Sequence, residues 1–143
     1  MRDYEEAIRF YTESLGFILR SDIPFGYGEK WVTVAPHKDA QTSIVFVKAQ
    51  TPEERILIGK QVHDRVLFTL ITNDIIHDYA KMRSRGVRFL GEPQEQTFGL
   101  SVIFEDLYGN RIDLVQLKQL PEIHTERISS LTFSNKSIDV RKK

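Results

Sequence analysis

The order of apolar and polar residues predicts two helices, each ending at a glycine that a strand follows. In the first, Asp3 can cap the N-terminus and Glu6 lies three residues later, the arrangement of a capping box. Gly16 suits the left-handed conformation that ends many helices. The second helix begins at Asp74 or the residue before it and ends at Gly86. The apolar positions that define the two helix faces are Tyr4, Ala7, Ile8, Tyr11 and Leu15, then Ile75, Ile76, Tyr79 and Met82.

Extended runs rich in β-branched and aromatic residues fill most of the remaining chain. Residues 51–64 are mostly polar and are predicted to form a linker or surface loop. A tight turn at Tyr108-Gly109-Asn110 makes the last two strands a hairpin. The second half thus follows the order β-α-β-β-β and the first half α-β-β-β, so an α+β repeat is predicted whose first unit lacks its opening strand. The predicted strands start at residue 17 and then cover residues 30–35, 42–47, 66–71, 87–90, 99–105 and 111–117.

Composition narrows the class of protein. The 143 residues suffice for one domain, with 41% hydrophobic and 28% charged residues. Twenty basic residues balance twenty acidic ones, which argues against nucleic acid or an anionic membrane as a partner. The N-terminus lacks the apolar core of a signal peptide, and no apolar run is long enough for a membrane span. The absence of cysteine excludes disulfides and thiolate sites and is compatible with a cytoplasmic protein.

Two segments, residues 3–17 (DYEEAIRFYTESLGF) and residues 105–114 (EDLYGNRIDL), resemble motifs of a known family. They resemble the first helix and the closing hairpin of the glyoxalase/bleomycin resistance protein/dioxygenase superfamily, also called vicinal oxygen chelate proteins. The resemblance covers residues 1–117 and implies two βαβββ modules, about 1–48 and 65–117. Their strands would form a curved, half-open barrel around a small-molecule cavity, commonly in a homodimer, with the first module lacking its opening strand.

The same resemblance implies a divalent metal in the cavity, held by His, Glu or Asp side chains. Of the four metal-ligand positions that the family has, the first falls on the absent strand. The second falls near Val45 and the third at Val66 or Leu67, and none of these side chains has a donor atom for a metal. Only the fourth has one, at Asp113. A single carboxylate holds a divalent ion weakly, so the usual metal chemistry is not expected. His63, just before a predicted strand, is a weaker candidate ligand.

The polar and aromatic strand residues have alternative interpretations. Asp113 is either a cavity ligand or acid/base group, or a strand carboxylate paired with Arg111 two residues away. The candidate pocket residues are Trp31, Phe46, Thr69 and Gln116. Core packing is the default for the two aromatic residues, and cross-strand hydrogen bonds explain the two polar residues equally well. No catalytic residue is identified.

The tail from residue 118 to 143 lies outside the resemblance. Residues 127–133 (RISSLTF) contain good β-formers, and we hypothesise that they add an edge strand where the opening strand is lacking, in their own chain or in a partner's. The alternative is a native start upstream of Met1, since Met1-Arg2-Asp3 stands where the family often has the end of that strand.

The leading interpretation is a glyoxalase-like protein that binds a metabolite or an antibiotic in the barrel cavity, with catalysis unproven. The alternative is a divalent-metal-dependent lyase or dioxygenase of the same superfamily. A structural or partner-binding module is a third class, which no residue pattern specifically supports. Fold similarity alone does not carry a reaction with it.

Overall fold

The computed structural model describes residues 1–118. The edge strand hypothesised at residues 127–133 lies outside the described residues. The helices are α1 (Tyr4–Arg9), which continues into a π-helical turn (Phe10–Ser14), α2 (Pro52–Ile56) and α3 (Ile75–Ser84). The strands are β1 (Ile18–Gly26), β2 (Glu29–Ala35), β3 (Ile44–Phe46), β4 (Val66–Ile71), β5 (Arg88–Phe89), β6 (Gln94–Gln96), β7 (Gly99–Glu105) and β8 (Arg111–Leu117).

The strands form two sheets, one from each half of the chain. The first has the antiparallel order β1-β2-β3. The second has the order β4-β8-β7-β5, in which β4 and β8 run parallel and β6 pairs with β7. The predicted α+β fold is confirmed, with a first half of α-β-β-β and a second half of βαβββ plus one additional short strand, β6. The sheets do not close into a full barrel, as expected for a half-open arrangement.

Local sequence signals start and stop the two predicted helices as expected. The Asp3 carboxylate accepts a hydrogen bond from the Glu6 amide at 2.9 Å, and the Asp74 carboxylate accepts one from the His77 amide at 3.0 Å. Gly16 and Gly86 take φ angles of +79° and +86°, which favour glycine.

The helices α1 and α3 each contribute to a separate apolar core. The first core is Tyr4, Ala7, Tyr11, Phe17, Val32, Val34 and Phe46. The second is Ile75, Met82, Val87, Val102, Phe104, Ile112 and Leu114. Because side chains alternate along strands, the residues between these core positions project from the opposite side of each sheet, which we call the open face.

Two sequence predictions about local structure are wrong. Residues 51–64 contain a short helix, α2, because Thr51 and Glu54 make a reciprocal capping box. The predicted strand at 42–47 is shortened to β3, and a strand not predicted, β6, follows Pro93. Among residues 1–118, no helix is both long enough and apolar enough to cross a membrane.

Candidate functional site

Asp113 lies in the middle of β8, on the open face of the second sheet. Ser101 of the neighbouring strand β7 donates a hydrogen bond from Oγ to Asp113 Oδ1 at 2.7 Å. On the other side, Thr69 of β4 is its partner in the parallel register. Arg111, the partner expected from the sequence, instead donates to the Asp64 carbonyl at 2.9 Å, so the ion pair does not form. Asp113, Ser101 and Thr69 therefore make a polar row across three strands.

Exposed apolar side chains also lie on the open faces of the two sheets. On the second sheet, Ile71 is 54% exposed. On the first sheet, Ile23, Trp31 and Val45 are 58%, 50% and 41% exposed, and all three lie on the open face by alternation with buried neighbours. An apolar surface with a few polar groups is the usual composition of a small-molecule site.

The remaining residues predicted from the sequence lie elsewhere. Phe46 is buried in the first core, where its ring centroid lies 5.0 Å from that of Tyr11. The Gln116 side-chain oxygen accepts a hydrogen bond from the Ile75 amide at 2.8 Å, at the start of α3. His63 is an exposed residue with a φ of +57°, and its ring lies 3.2 Å from the Asp64 carboxylate. The structure thus brings Thr69 and Asp113 together and keeps the other three apart from them.

The donor set does not fit the divalent metal that the resemblance implies. Within residues 1–118, no three His, Asp or Glu side chains converge in a way that could hold a metal ion. The residues that the resemblance puts at two ligand positions, Val45 and either Val66 or Leu67, offer no donor atom. Ser101 is the one hydrogen-bond donor to Asp113 among residues 1–118, and Thr69 is its neighbour in the strand register. A carboxylate with hydroxyl neighbours suits a hydrogen-bonding organic ligand better than a tightly held ion.

A second polar cluster, at the junction of the two modules, was not found by sequence reasoning. The buried Asp106 carboxylate accepts hydrogen bonds from Tyr11 Oη at 3.0 Å, from the Tyr108 and Asn110 amides at 2.9 Å, and from Asn110 Nδ2 at 2.9 Å. Burial, followed by the nearby Asp106 charge, raises the pKa of the Tyr11 phenol well above its usual range. The phenol therefore stays protonated and donates, tying the first helix to the turn before β8.

The sequence does contain part of the signal for this cluster. Asp106, Tyr108 and Asn110 lie in the turn of the closing-hairpin motif, where an Asp side chain can accept from amides two and four residues later. Tyr11 was assigned only to the helix face, and its hydroxyl partner is 95 residues away along the chain. Such a contact cannot be found from local spacing.

A family model described as "Glyoxalase/Bleomycin resistance protein/Dioxygenase superfamily" matches residues 1–114. An uncharacterized protein of Shewanella frigidimarina is 42% identical over 118 residues, which cover 82% of this chain and 87% of that protein. The uncharacterized protein YetH of Bacillus subtilis is 36% identical, with 77% of this chain and 86% of YetH covered.

Solved structures show the same architecture. UcmS2 is 33% identical with a TM-score of 0.69, covering 79% of this chain and 89% of that chain. TnmS3, described as an antibiotic binding protein from Streptomyces sp. CB03234, is 35% identical with a TM-score of 0.66, covering 82% of this chain and 88% of that chain.

Proposed function

Because the chain belongs to the glyoxalase/bleomycin resistance protein/dioxygenase superfamily, we propose that it binds a small, largely apolar organic molecule, such as an antibiotic or a metabolite, on the open face of its sheets. The observation that carries the proposal is the polar row of Asp113, Ser101 and Thr69 on the open face of the second sheet, together with the exposed apolar side chains on the open faces.

The physical argument is that an apolar surface exposed to water is unfavourable. Large exposed apolar patches are uncommon on monomeric proteins and mark ligand or partner sites. Trp31 and Ile23 supply flat, apolar contact area, and burying such side chains contributes roughly 25 cal/mol per Å². Asp113 accepts a single hydrogen bond from the described residues, so its carboxylate retains acceptor capacity for a ligand hydroxyl, amide or amine.

The comparison with TnmS3 supports the ligand class. That protein is described as antibiotic binding, and its fold and 35% sequence identity extend over most of this chain. Together with the apolar open face, this favours binding and sequestration over a reaction.

We further propose that a second copy of the chain completes the cavity. The open faces carry exposed side chains such as Ile23, Trp31 and Ile71, although Thr33 and Val115 on the same faces are buried. A homodimer would enclose a ligand more fully than one chain does. Sedimentation equilibrium at micromolar concentration should then give twice the chain mass. A monomer at every concentration would contradict this part of the proposal.

The cytoplasmic location rests on the lack of cysteine and remains a prediction from composition.

The alternative is a divalent-metal-dependent lyase or dioxygenase. Asp113 is its one supporting residue, since it stands at the family's closing carboxylate position. Metal analysis of the purified protein after dialysis separates the two functions. Stoichiometric zinc, iron, manganese or nickel would favour the enzyme, whereas ligand-induced stabilisation of metal-free protein would favour the binder.

Trp31 provides the direct test, because it is the single tryptophan of the chain and lies on the open face. Purified protein is titrated with a panel of apolar antibiotics and metabolites while Trp31 emission and the melting temperature are recorded. A ligand at about 100 times its Kd adds about 2.7 kcal/mol of stability, which raises Tm by about 8 °C.

The Asp113→Asn variant locates the bound molecule. Loss of a hydrogen bond to a charged acceptor should weaken binding by about 1.5–3 kcal/mol, about 10- to 100-fold in Kd. The matched control is Asp39→Asn, an acid in an exposed loop away from the open face, which should leave Kd unchanged. Equal affinity of the Asp113 variant and the wild type, or a ligand that shifts Tm without changing Trp31 emission, would place the site elsewhere.

A further inference from the structure

The chain opposite β7 contains a bulge between β5 and β6. The Leu90 amide, directly after β5, donates to the Ile103 carbonyl at 2.8 Å, and Gln94 of β6 is paired with Ser101. Between these two pairs β7 has a single residue, whereas the opposite chain has three, residues 91–93. The extra residues therefore form the bulge. Bulges are frequent next to functional sites, where they change the direction of nearby side chains.

A surface cleft lies beside this bulge, on the open face of the second sheet. Its volume is about 410 Å³, which is within the range of small-molecule sites. Ser101 and Ile103 alternate along β7 with buried residues of the second core, so their side chains project on the same face as Asp113. We call this space the bulge cleft, and its lining includes Leu90, Gly91, Glu92, Gln94, Ser101 and Ile103.

Ser101 belongs to both the bulge cleft and the polar row. Its Oγ donates to Asp113 Oδ1 at 2.7 Å, which brings the carboxylate to one end of the cleft. Among residues 1–118, no group donates to Asp113 Oδ2. This end of the cleft therefore presents a charged acceptor that can bind a ligand hydroxyl or amine.

Gln94 supplies a second acceptor on the other side of the cleft. It is paired with Ser101 across the antiparallel strands, so its exposed side chain also lies on the open face. The Gln94 Nε2 donates to the Glu92 carbonyl at 3.3 Å, which ties the side-chain amide to the bulge. The Gln94 Oε1 accepts no hydrogen bond within the described part of the chain, so a ligand donor can bind there.

The space between the two acceptors is apolar. Leu90, which is 44% exposed, lies opposite the half-buried Ile103. Because β7 lies between β8 and β6, the Asp113 and Gln94 side chains start two strand spacings apart, about 10 Å. An apolar span with an acceptor at each end favours a ligand that has a donor at each end.

On the basis of the proposed function, we propose that the bulge cleft is a specificity subsite of the open-face site, in which Gln94 Oε1 accepts a hydrogen bond from the far end of the ligand. The ligand is an elongated, mostly apolar molecule with hydroxyl or amino donors about 10 Å apart. One donor binds Asp113, the other binds Gln94, and the apolar span between them contacts Leu90 and Ile103.

Two probes of equal shape test the subsite with the full-length protein. The first is 4,4′-dihydroxybiphenyl, whose hydroxyl groups are separated by nearly the same distance as two strand spacings, about 10 Å. The second, 4-hydroxy-4′-methylbiphenyl, replaces one hydroxyl by a methyl group of similar size. A surface that is only apolar would bind the methyl compound more tightly, because a methyl group gains more from leaving water. A preference for the diphenol therefore reports a hydrogen-bond acceptor at the far end.

Calorimetric titration of the wild type should give a Kd at least about threefold lower for the diphenol, because the methyl compound leaves one hydrogen bond unmade. Gln94→Met keeps the length of the side chain but has no amide acceptor. It should reverse the preference, since the hydroxyl then loses water without gaining a partner. The matched control is Glu95→Gln, because Glu95 is on the same strand but faces the other way; both Kd values should stay unchanged.

Asp113→Asn separates the subsite from the proposed function on which it rests. It should weaken binding of both probes by a similar factor and keep the preference for the diphenol, because the two acceptors bind opposite ends of the probe. Suppose that Asp113→Asn weakens both probes, but the wild type binds them equally or Gln94→Met keeps the preference. The open-face site would then stand and the subsite would be overturned. No binding of either probe to the wild type would contradict both.

Nuclear magnetic resonance gives an independent readout of the second contact. The side-chain amide signals of Gln94 are identified by their loss in Gln94→Met. Adding the diphenol to the wild type should shift these signals more than adding the methyl compound does. Equal shifts, or no shift with either probe, would show that the far end of the ligand does not bind Gln94 and would overturn the proposal.

Discussion

Replacing Tyr11 by Phe tests how the two modules are held together. The Tyr11 hydroxyl donates to the buried Asp106 carboxylate at 3.0 Å, joining the first helix to the turn before β8. The ring packs edge-on against Phe17 and Phe46 at centroid distances of 5.5 and 5.0 Å. Phenylalanine preserves that packing, so the substitution removes one hydrogen bond and little else.

The magnitude follows from the charge and the burial. A hydrogen bond to a charged group contributes about 1.5–3 kcal/mol, and Asp106 is only 6% exposed, so water cannot readily replace the lost donor. Three further donors remain on Asp106, from Tyr108 and Asn110, which keep the carboxylate partly satisfied. We therefore expect Tyr11→Phe to lower the free energy of unfolding by about 1.5–3 kcal/mol.

Urea denaturation followed by circular dichroism measures this change, and an unchanged m-value would show that the unfolding transition itself is the same. The control is Tyr27→Phe, because Tyr27 is fully exposed; a change within about 0.5 kcal/mol is expected there. If Tyr11→Phe were as neutral as the control, the buried phenol–carboxylate contact would not stabilise the fold and the reasoning would be refuted.

Three further predictions follow from other contacts. Because the pKa of Tyr11 is raised, the folded state keeps a proton that the unfolded chain loses near pH 10, and the free energy of unfolding therefore falls as the pH rises. Between pH 10 and pH 11, urea melts should show that the free energy of unfolding falls by about 1 kcal/mol more for the wild type than for Tyr11→Phe. Gly99 has a φ of +151°, and an added Cβ would overlap the Gln116 carbonyl oxygen, so Gly99→Ala should lower the free energy of unfolding by more than about 1 kcal/mol. Gly91→Ala is the control, because space is open there, and it should change the free energy of unfolding by no more than about 0.5 kcal/mol in the same measurement. Gln116→Ala leaves the buried Ile75 amide without its acceptor and should cost about 1–3 kcal/mol in a thermal or urea melt, while ligand affinity measured through Trp31 stays unchanged.

Local signals explain which elements could be predicted. The caps at Asp3 and Asp74 and the glycine stops at Gly16 and Gly86 act through neighbours within a few residues, so the sequence contains their full description. The short helix α2 was missed although its capping box at Thr51 and Glu54 is present. It has no buried face, and without apolar periodicity the helix pattern is too weak to detect.

The candidate site was predictable only in part. Asp113 and Thr69 could be named as polar residues in apolar strands, but not their mutual position, because that depends on the parallel pairing of β4 with β8. The other polar candidate, Gln116, could not be separated from them by spacing. In the structure its side chain reaches the start of α3, a contact across 41 residues.

The amino-acid sequence by itself determined the two main helices, most of the strands and the family, because each depends on periodicity and short motifs within one segment of chain. The tertiary structure alone decided which side chains share a face. It gave Asp113 a hydroxyl partner on β7 in place of Arg111, left Trp31 on the open face, and brought Tyr11 to Asp106 across 95 residues. Such contacts depend on strand register and on the docking of helices against sheets, where a shift of one residue exchanges the buried face for the exposed one.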